Sequence, residues 1–150
     1  MFLPTSIELA TMAQAADCAR VSRAARKQAL PFLRELHSEA EDLDYFGNQV
    51  FRKDTVFVAL NEGRRPVGFI AFSDGWINHL YVLPSYQGLG IGGLLLDKAT
   101  QSSKTLRLWT FERNELARRF YEKHGFSVID RTNGESNEEQ EPDLLLQWNA

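Results

Sequence analysis

The sequence predicts an α+β fold in which helices pack on the faces of a single sheet. Runs of β-branched and aromatic residues alternate along the chain with stretches in which apolar residues recur at helical spacing. The chain has 150 residues, of which 43% are hydrophobic and 25% are charged, and these are ordinary values for a globular domain. Because no repeat or linker divides the chain, we expect residues 1–150 to form one domain.

The N-terminal part of the chain predicts a short strand and two helices. The strand covers residues 7–10, and alanines then recur at helical spacing over residues 12–36. Pro31 must end or bend this first helix, because proline lacks an amide donor and clashes with the preceding turn. Ser38 is a suitable N-cap with acidic residues behind it, so we expect a second helix that runs to about residue 51.

The middle of the chain predicts antiparallel strands joined by tight turns. Residues 54–60 and 66–72 form β-branched and aromatic runs, and Asn-Glu-Gly at 61–63 is a hairpin signal between them. A third strand over residues 76–83 stops at Pro84. The later predicted elements are a helix over 90–100, a strand over 106–110, a helix over 114–124, a strand over 126–130, a polar loop over 131–142 and a strand over 144–148.

Charge and composition exclude several classes of protein. The net charge of -3 argues against a general nucleic-acid binder, which needs a basic surface. The basic residues of the first helix, Arg26 among them, are expected to form a solvated stripe. A single cysteine, Cys18, cannot form an internal disulfide, and with three histidines it excludes a cysteine-rich zinc cluster, so we expect no metal.

The same features predict a cytoplasmic protein without a membrane partner. The longest apolar runs, such as residues 56–60, are too short to span a bilayer. Residues 1–6 lack the basic start and the continuous apolar stretch of a signal peptide.

The glycine-rich segment after the third middle strand carries the most chemical information. Gly88, Gly90, Gly92 and Gly93 lie between a strand end and a predicted helix. Glycine allows a ligand to approach the backbone closely, and a helix N-terminus carries a partial positive charge. The segment therefore predicts a site for a phosphate or pyrophosphate.

Three kinds of phosphate site are compatible with glycines at such a position. A Walker A loop is excluded, because no Gly-Lys-Ser/Thr ends the segment. Gly88, Gly90 and Gly93 match the dinucleotide pattern G-x-G-x-x-G, but residues 84–87 separate them from the strand, and only one further βαβ unit could follow. The third kind is Gln-x-x-Gly-x-Gly after Leu-Tyr-Val-x-Pro, which begins here at Gln87.

That third pattern resembles the acetyl-CoA motif of the GNAT (N-acetyltransferase) superfamily. A second family pattern, "Asn…Ala…Phe-Tyr…Gly-Phe", is matched by Asn114, Ala117, Phe120, Tyr121 and residues 125–126. The predicted element order, β-α-α-β-β-β-α-β-α-β-β, also agrees over nearly the whole chain. The resemblance implies a GNAT-like mixed, mostly antiparallel sheet flanked by helices, and an enzyme that transfers acetyl from acetyl-CoA to a primary amine by direct attack.

The resemblance also implies roles for individual residues. Tyr121 would lie beside the sulfur as general acid, because a phenol can donate a proton to the leaving thiolate. Asn114 would hydrogen-bond the cofactor arm. The residues whose backbone would bind acetyl-CoA are Leu80, Tyr81 and Val82 for the pantetheine arm, and Gln87, Gly88, Leu89, Gly90, Ile91, Gly92 and Gly93 for the pyrophosphate.

The general base is not evident from the sequence. Many relatives place a Glu on the fourth strand, but that position is Trp76 here, and the fifth-strand position of others is Trp109. His79 titrates close to neutrality and is a candidate base, although strict alternation points it away from Trp76. Glu112 and an ordered water are further candidates.

Acidic and aromatic residues are expected to line the acceptor site. By resemblance, the first two helices and the late loop shape it, and such a lining suits a cationic amine of a small molecule, amino acid or peptide. The expected residues are Phe32, Leu36, Tyr45, Phe46, Trp76, Glu35, Glu39, Glu41, Asp42, Asp44, Glu135, Glu138, Glu139, Glu141 and Asp143.

Two other functions stay open at this stage. The missing strand acid is compatible with an acyl-CoA-binding module of the same fold that has little or no turnover. A dinucleotide-binding domain is the other alternative. The last strand and an exposed sheet edge are compatible with a homodimer.

Overall fold

A computed structural model describes residues 6–150, and these residues form one seven-stranded sheet with helices on both faces. The strand order is β1-β2-β3-β4-β5-β7-β6, and every neighbouring pair is antiparallel except β4 and β5. The strands are β1 (Ser6–Leu9), β2 (Thr55–Leu60), β3 (Pro66–Ser73), β4 (Trp76–Val82), β5 (Thr105–Phe111), β6 (Ser127–Thr132) and β7 (Asp143–Asn149). The predicted mixed, mostly antiparallel sheet is confirmed.

Within residues 6–150, the α-helices are α1 (Ala15–Ala29), α2 (Glu39–Tyr45), α3 (Phe51–Lys53), α4 (Ile91–Thr100) and α5 (Glu115–Lys123). Helices α2, α4 and α5 begin within one residue of the predicted positions, whereas α1 begins three residues later than predicted and α3 was not predicted. Ser38 caps α2 in a reciprocal capping box with Glu41, in which each side chain accepts the other residue's amide. A π-helical turn, Phe46–Val50, joins α2 to α3.

The first helix is shorter than predicted. It ends at Ala29, with Leu30 as C-cap, whereas the prediction extended it to residue 36. Pro31 explains the difference, because a residue before proline avoids the α conformation. Residues 1–5, on which the signal-peptide interpretation mostly depends, lie outside the described residues.

The core has one part on each face of the sheet. On one face, Cys18 and Val21 of α1 pack with Phe69 of β3. On the other face, Leu95 and Leu96 of α4 pack with residues of β3, β5 and β7. The sheet is therefore held between α1 on one side and α4 with α5 on the other.

Two further features concern membranes and edges. No helix within residues 6–150 is long and apolar enough to cross a membrane. Strand β7 lies between β5 and β6, so β6 and not the last strand forms that edge of the sheet.

Candidate active site

The parallel neighbours β4 and β5 pair at one position only, and a cleft opens between them. Trp76 pairs with Arg107, whose amide also donates to the Gly75 carbonyl at 2.9 Å. Beyond that point the strands diverge, and residues 77–82 and 108–111 line a cavity of about 780 Å³. Along the remainder of its edge that faces β5, β4 has no neighbouring strand. The backbone amides and carbonyls on that edge can therefore pair with an extended ligand.

The glycine-rich loop forms one end of this cleft. After a 3₁₀ turn over Pro84–Tyr86, the side-chain amide of Gln87 donates to the Val82 carbonyl at 2.9 Å and fixes the loop to the end of β4. Gly88 and Gly90 have φ values of 78° and 86°, which L side chains rarely adopt. Gly90 is the N-cap of α4.

The space in front of α4 is open, whereas its first turn packs closely on α5. A Cβ at Gly88 or Gly90 would meet nothing within 4 Å, but one at Gly92 would lie 3.0 Å from the Phe120 ring. The first amides of a helix have no intrahelical acceptor, and they face this open space with the positive end of the helix dipole. Of the seven predicted pyrophosphate residues, only Leu89, which is exposed, does not line the cavity.

Asn114 lies at the start of α5, on the wall of the cavity. Its side-chain oxygen accepts the Ala117 amide at 3.1 Å and caps the helix. The capping bond uses Oδ1, so the NH₂ group remains available as a donor.

Tyr121 brings a buried phenol to the same cavity. Its ring packs edge-on against Phe120 and Phe126, with centroid distances of 5.1 and 5.2 Å, and the residue is only 7% exposed. Burial raises the pKa of the hydroxyl, and the neighbouring Tyr81 raises it further. The phenol is therefore protonated at neutral pH and can act as a donor.

A β-bulge changes which face of β4 carries His79. The register with β3 shifts between Ala71 and Phe72, so β4 contains one extra residue, Asn78. Strict alternation placed His79 on the face opposite Trp76, and this expectation was wrong, because the extra residue returns His79 to the face of Trp76. The Asn78 amide donates to Asp54 Oδ1 at 3.1 Å and anchors the bulge.

The His79 ring lies between aromatic side chains at the edge of the cavity. Its centroid is 5.2 Å from that of Phe46, and its Nε2 is hydrogen-bonded to the Tyr45 hydroxyl at 3.1 Å. Its Nδ1 is buried and has no partner within residues 6–150. Burial lowers the pKa of His79 to about 4, an effect that Asp54 opposes and Arg26 reinforces.

Four of the ten acids expected around the acceptor form ion pairs with residues of other elements. The pairs are Arg23 with Glu35 and Asp42, His37 with Glu138, and Arg113 with Glu141; Arg131 likewise pairs with Glu112, which was a candidate base. Of the acids predicted to line the acceptor site, Glu139 and Asp143 line the cavity. The other eight do not line this cavity, and their part in an acceptor site stays a prediction.

Sequence reasoning also missed Arg26. It was assigned to a solvated stripe, but it lines the cavity with Ala25 and Ala29. The signal that could have indicated this is the spacing of Arg26 from Ser22. Residues four apart lie on the same face of a helix, and Ser22 is buried, so Arg26 lies on the face of α1 that is turned towards the protein interior.

The comparisons with known proteins agree with this geometry. Residues 52–128, more than half of the chain, match the acetyltransferase (GNAT) domain. The chain belongs to the GNAT family. The matched region includes the splayed strand β4, the glycine-rich loop and the helix that carries Tyr121.

Several relatives of this GNAT chain have names or solved structures. A peptidyl-lysine N-acetyltransferase of Escherichia coli, YjaB, is 34% identical over 98 residues, 65% of either chain. An uncharacterised N-acetyltransferase of Archaeoglobus fulgidus is 38% identical over 85 residues, 46% of this chain and 57% of the relative. The chain thus matches less than two thirds of either relative's length.

Two solved structures show the same fold. The solution structure of apo YjaB superposes with a TM-score of 0.80 at 26% identity, over 97% of both chains. The crystal structure of a PaiA N-acetyltransferase from Thermoplasma acidophilum in complex with coenzyme A gives a TM-score of 0.74 at 19% identity, over 98% of this chain and 99% of the other.

The burial of His79 predicts a pH-dependent stability. The unfolded chain binds the imidazole proton near pH 6.5 and the folded chain only near pH 4, so stability present above pH 6.5 is lost as the pH falls towards 4. At about 1.4 kcal/mol per pKa unit, the loss approaches about 3 kcal/mol. We expect His79→Gln to remove most of this dependence in denaturant titrations at a series of pH values.

His37→Gln is the matched control for this prediction. The hydrogen bond to Glu138 raises the pKa of His37. The contribution of His37 to folding stability therefore has the opposite sign from that of His79, and it is lost as the pH rises. An unchanged acid slope in His79→Gln would show that His79 is not the group responsible.

Proposed function

We propose that this protein is an N-acetyltransferase that uses acetyl-CoA to acetylate a primary amine. The observation that carries the proposal is the cleft between β4 and β5, which joins an unpaired strand edge, a helix N-terminus and a buried phenol in one cavity. The names of the relatives and the coenzyme A complex of a structural neighbour support it.

The residues of the cleft fit acetyl-CoA in three places. The open space in front of Gly88 and Gly90 suits the pyrophosphate, which the first amides of α4 would bind. The free edge of β4 at Leu80, Tyr81 and Val82 suits the amide-rich pantetheine arm in the manner of an added strand. When bound there, acetyl-CoA supplies an activated thioester.

In the proposed reaction, Tyr121 acts at the leaving sulfur. An amine takes the acetyl group directly, and the sulfur departs as the C–S bond breaks. The Tyr121 phenol, kept protonated by its raised pKa, donates a hydrogen bond or proton to that sulfur. The residue is held by the two aromatic rings beside it, so the hydroxyl is preorganised.

His79 is the proposed acceptor of the amine proton. Its ring lines the cavity, and its low pKa of about 4 keeps it neutral at pH 7. A base with so low a pKa contributes less than one matched to the working pH. Transfer of the proton to ordered water is the competing route.

A dinucleotide-binding function does not agree with the fold. That function needs an open, mostly parallel sheet with helices on both faces, and only one pair of neighbouring strands is parallel here. An acyl-CoA-binding module without turnover remains the second candidate, because the strand β4 carries Trp76 and Asn78 but no acidic side chain.

The first prediction concerns acetyl-CoA binding. Gly90→Glu should remove most affinity, because a charged side chain would enter the open space at the start of α4 and repel phosphate. Gly90→Asn is the matched variant, since asparagine tolerates a left-handed backbone and adds no charge. Calorimetric titration should show binding by the wild type and by Gly90→Asn; equal binding by Gly90→Glu would refute the assigned phosphate site.

The second prediction concerns the acid. Tyr121→Phe preserves the packed ring and removes the hydroxyl, so we expect kcat to fall by about a hundredfold or more with little change in acetyl-CoA affinity. Thiol release measured with a panel of amines and a lysine-containing peptide checks this. Tyr86→Phe is the control, because the Tyr86 hydroxyl accepts a hydrogen bond from Asn61 instead. Release of thiol at the wild-type rate by Tyr121→Phe would contradict the role.

The third prediction concerns the base. We expect His79→Gln to lower kcat/KM by about tenfold, and the wild-type rate to fall on the acid side only near pH 4–5, where the imidazole becomes protonated. The measurement is the pH dependence of kcat/KM for both proteins. Identical pH profiles for the wild type and His79→Gln would contradict the role of His79 and would assign deprotonation of the amine to water.

A further inference from the structure

Arg26 is a charged residue of the cleft that the proposed reaction does not use. It lies in the last turn of α1, lines the cavity and is only partly exposed. Within residues 6–150 its guanidinium makes no side-chain hydrogen bond and has no carboxylate within 4.0 Å. The arginines that do form ion pairs are Arg20, Arg23, Arg64, Arg113, Arg119 and Arg131. None of those six lines the cavity.

Arg26 lines the cavity together with His79 and Tyr81 of β4. Its charge lowers the pKa of both His79 and Tyr81, which lie on the face of β4 that α1 covers. The carboxylate of Glu139, from the β6–β7 loop, acts on Tyr81 with the opposite sign. Glu139 also lines the cavity and forms no ion pair among the described residues. Arg26 and Glu139 thus line the same cleft without forming an ion pair with each other.

The predicted phosphate site has donors of its own. The glycine-rich loop begins beyond Val82, at the far end of β4, and the amides of α4 serve it. Lys123 also lines the cavity, and it belongs to the end of α5, which packs on α4. A cation for the phosphates of acetyl-CoA is therefore present without Arg26.

We propose that Arg26 binds a carboxylate of the acceptor, so that the preferred acceptor is a small amine that carries a carboxylate, such as a free amino acid. This inference rests on the proposed acetyl transfer and names its acceptor class. A guanidinium matches a carboxylate with two parallel hydrogen bonds, and the partly dry cleft strengthens them. Glu139 attracts the ammonium group of the same zwitterion.

The test compares matched amines with and without a carboxylate. The pairs are phenylalanine with phenethylamine and lysine with cadaverine, and Nα-acetyl-lysinamide represents a lysine side chain within a peptide. For the wild type we expect kcat/KM to be about tenfold or more higher for the carboxylate-bearing member of at least one pair. Equal or faster reaction of the amines without a carboxylate, or of Nα-acetyl-lysinamide, overturns the proposal, and so does failure of every carboxylate-bearing amine.

Variants of Arg26 locate the effect. Arg26→Gln should lower kcat/KM for the carboxylate-bearing amine by about tenfold, mainly through KM, and leave the reaction of its partner amine unchanged. Arg26→Glu should reverse the preference within a pair, which a loss of packing alone would not do. Arg65→Gln, in the β2–β3 turn, is the control and should behave as the wild type. A rise in KM for acetyl-CoA, with no change in amine preference, would assign Arg26 to the cofactor and overturn the proposal.

Calorimetry with acetyl-CoA separates this inference from the function on which it rests. Binding of acetyl-CoA, together with thiol release that is as fast or faster with the amines that lack a carboxylate, would leave the acetyltransferase intact and refute the role of Arg26. Absence of acetyl-CoA binding by the wild type would refute the proposed function, and the acceptor class with it.

Discussion

The geometry of the site depends on the single backbone pairing between Trp76 and Arg107. Two parallel strands that stayed paired would fill their edges with each other and leave no room for a ligand. Here the pairing stops after one position, and the antiparallel partners β3 and β7 hold each strand from its other side. The gap is therefore stable although β4 and β5 are not hydrogen-bonded to each other along it. The backbone groups that face the gap remain available to bind a ligand.

Elements with local signals could be predicted from the sequence. The order of strands and helices follows from hydrophobic periodicity, and Ser38 and Pro84 mark boundaries through their own backbone chemistry. The glycine-rich loop also has a local cause, because a left-handed backbone at Gly88 and Gly90 requires a residue without Cβ. These signals predicted the end of the cleft at which we propose that the cofactor phosphates bind.

Features that depend on tertiary contacts could not be predicted. The bulge at Asn78 is anchored by Asp54, which is distant in sequence, so strict alternation gave His79 the wrong face. Acids such as Glu35 and Glu138 are paired with Arg23 and His37 from other elements, and a count of charges does not show such pairing. The residues proposed to bind the acceptor, such as His79, depend mostly on tertiary contacts of this kind.

The close packing of Gly92 on Phe120 gives the cleft a fixed length. Helix α4, whose N-terminus is the proposed phosphate site, packs directly against the Phe120 ring of α5, the helix that also carries Tyr121. The two helices are therefore held rigidly against each other. This packing therefore fixes the distance between the first backbone amides of α4 and the Tyr121 hydroxyl, whichever ligand is bound. In the proposed binding mode, an acyl carrier whose arm is shorter or longer than pantetheine would bind at the start of α4 without bringing its sulfur to Tyr121.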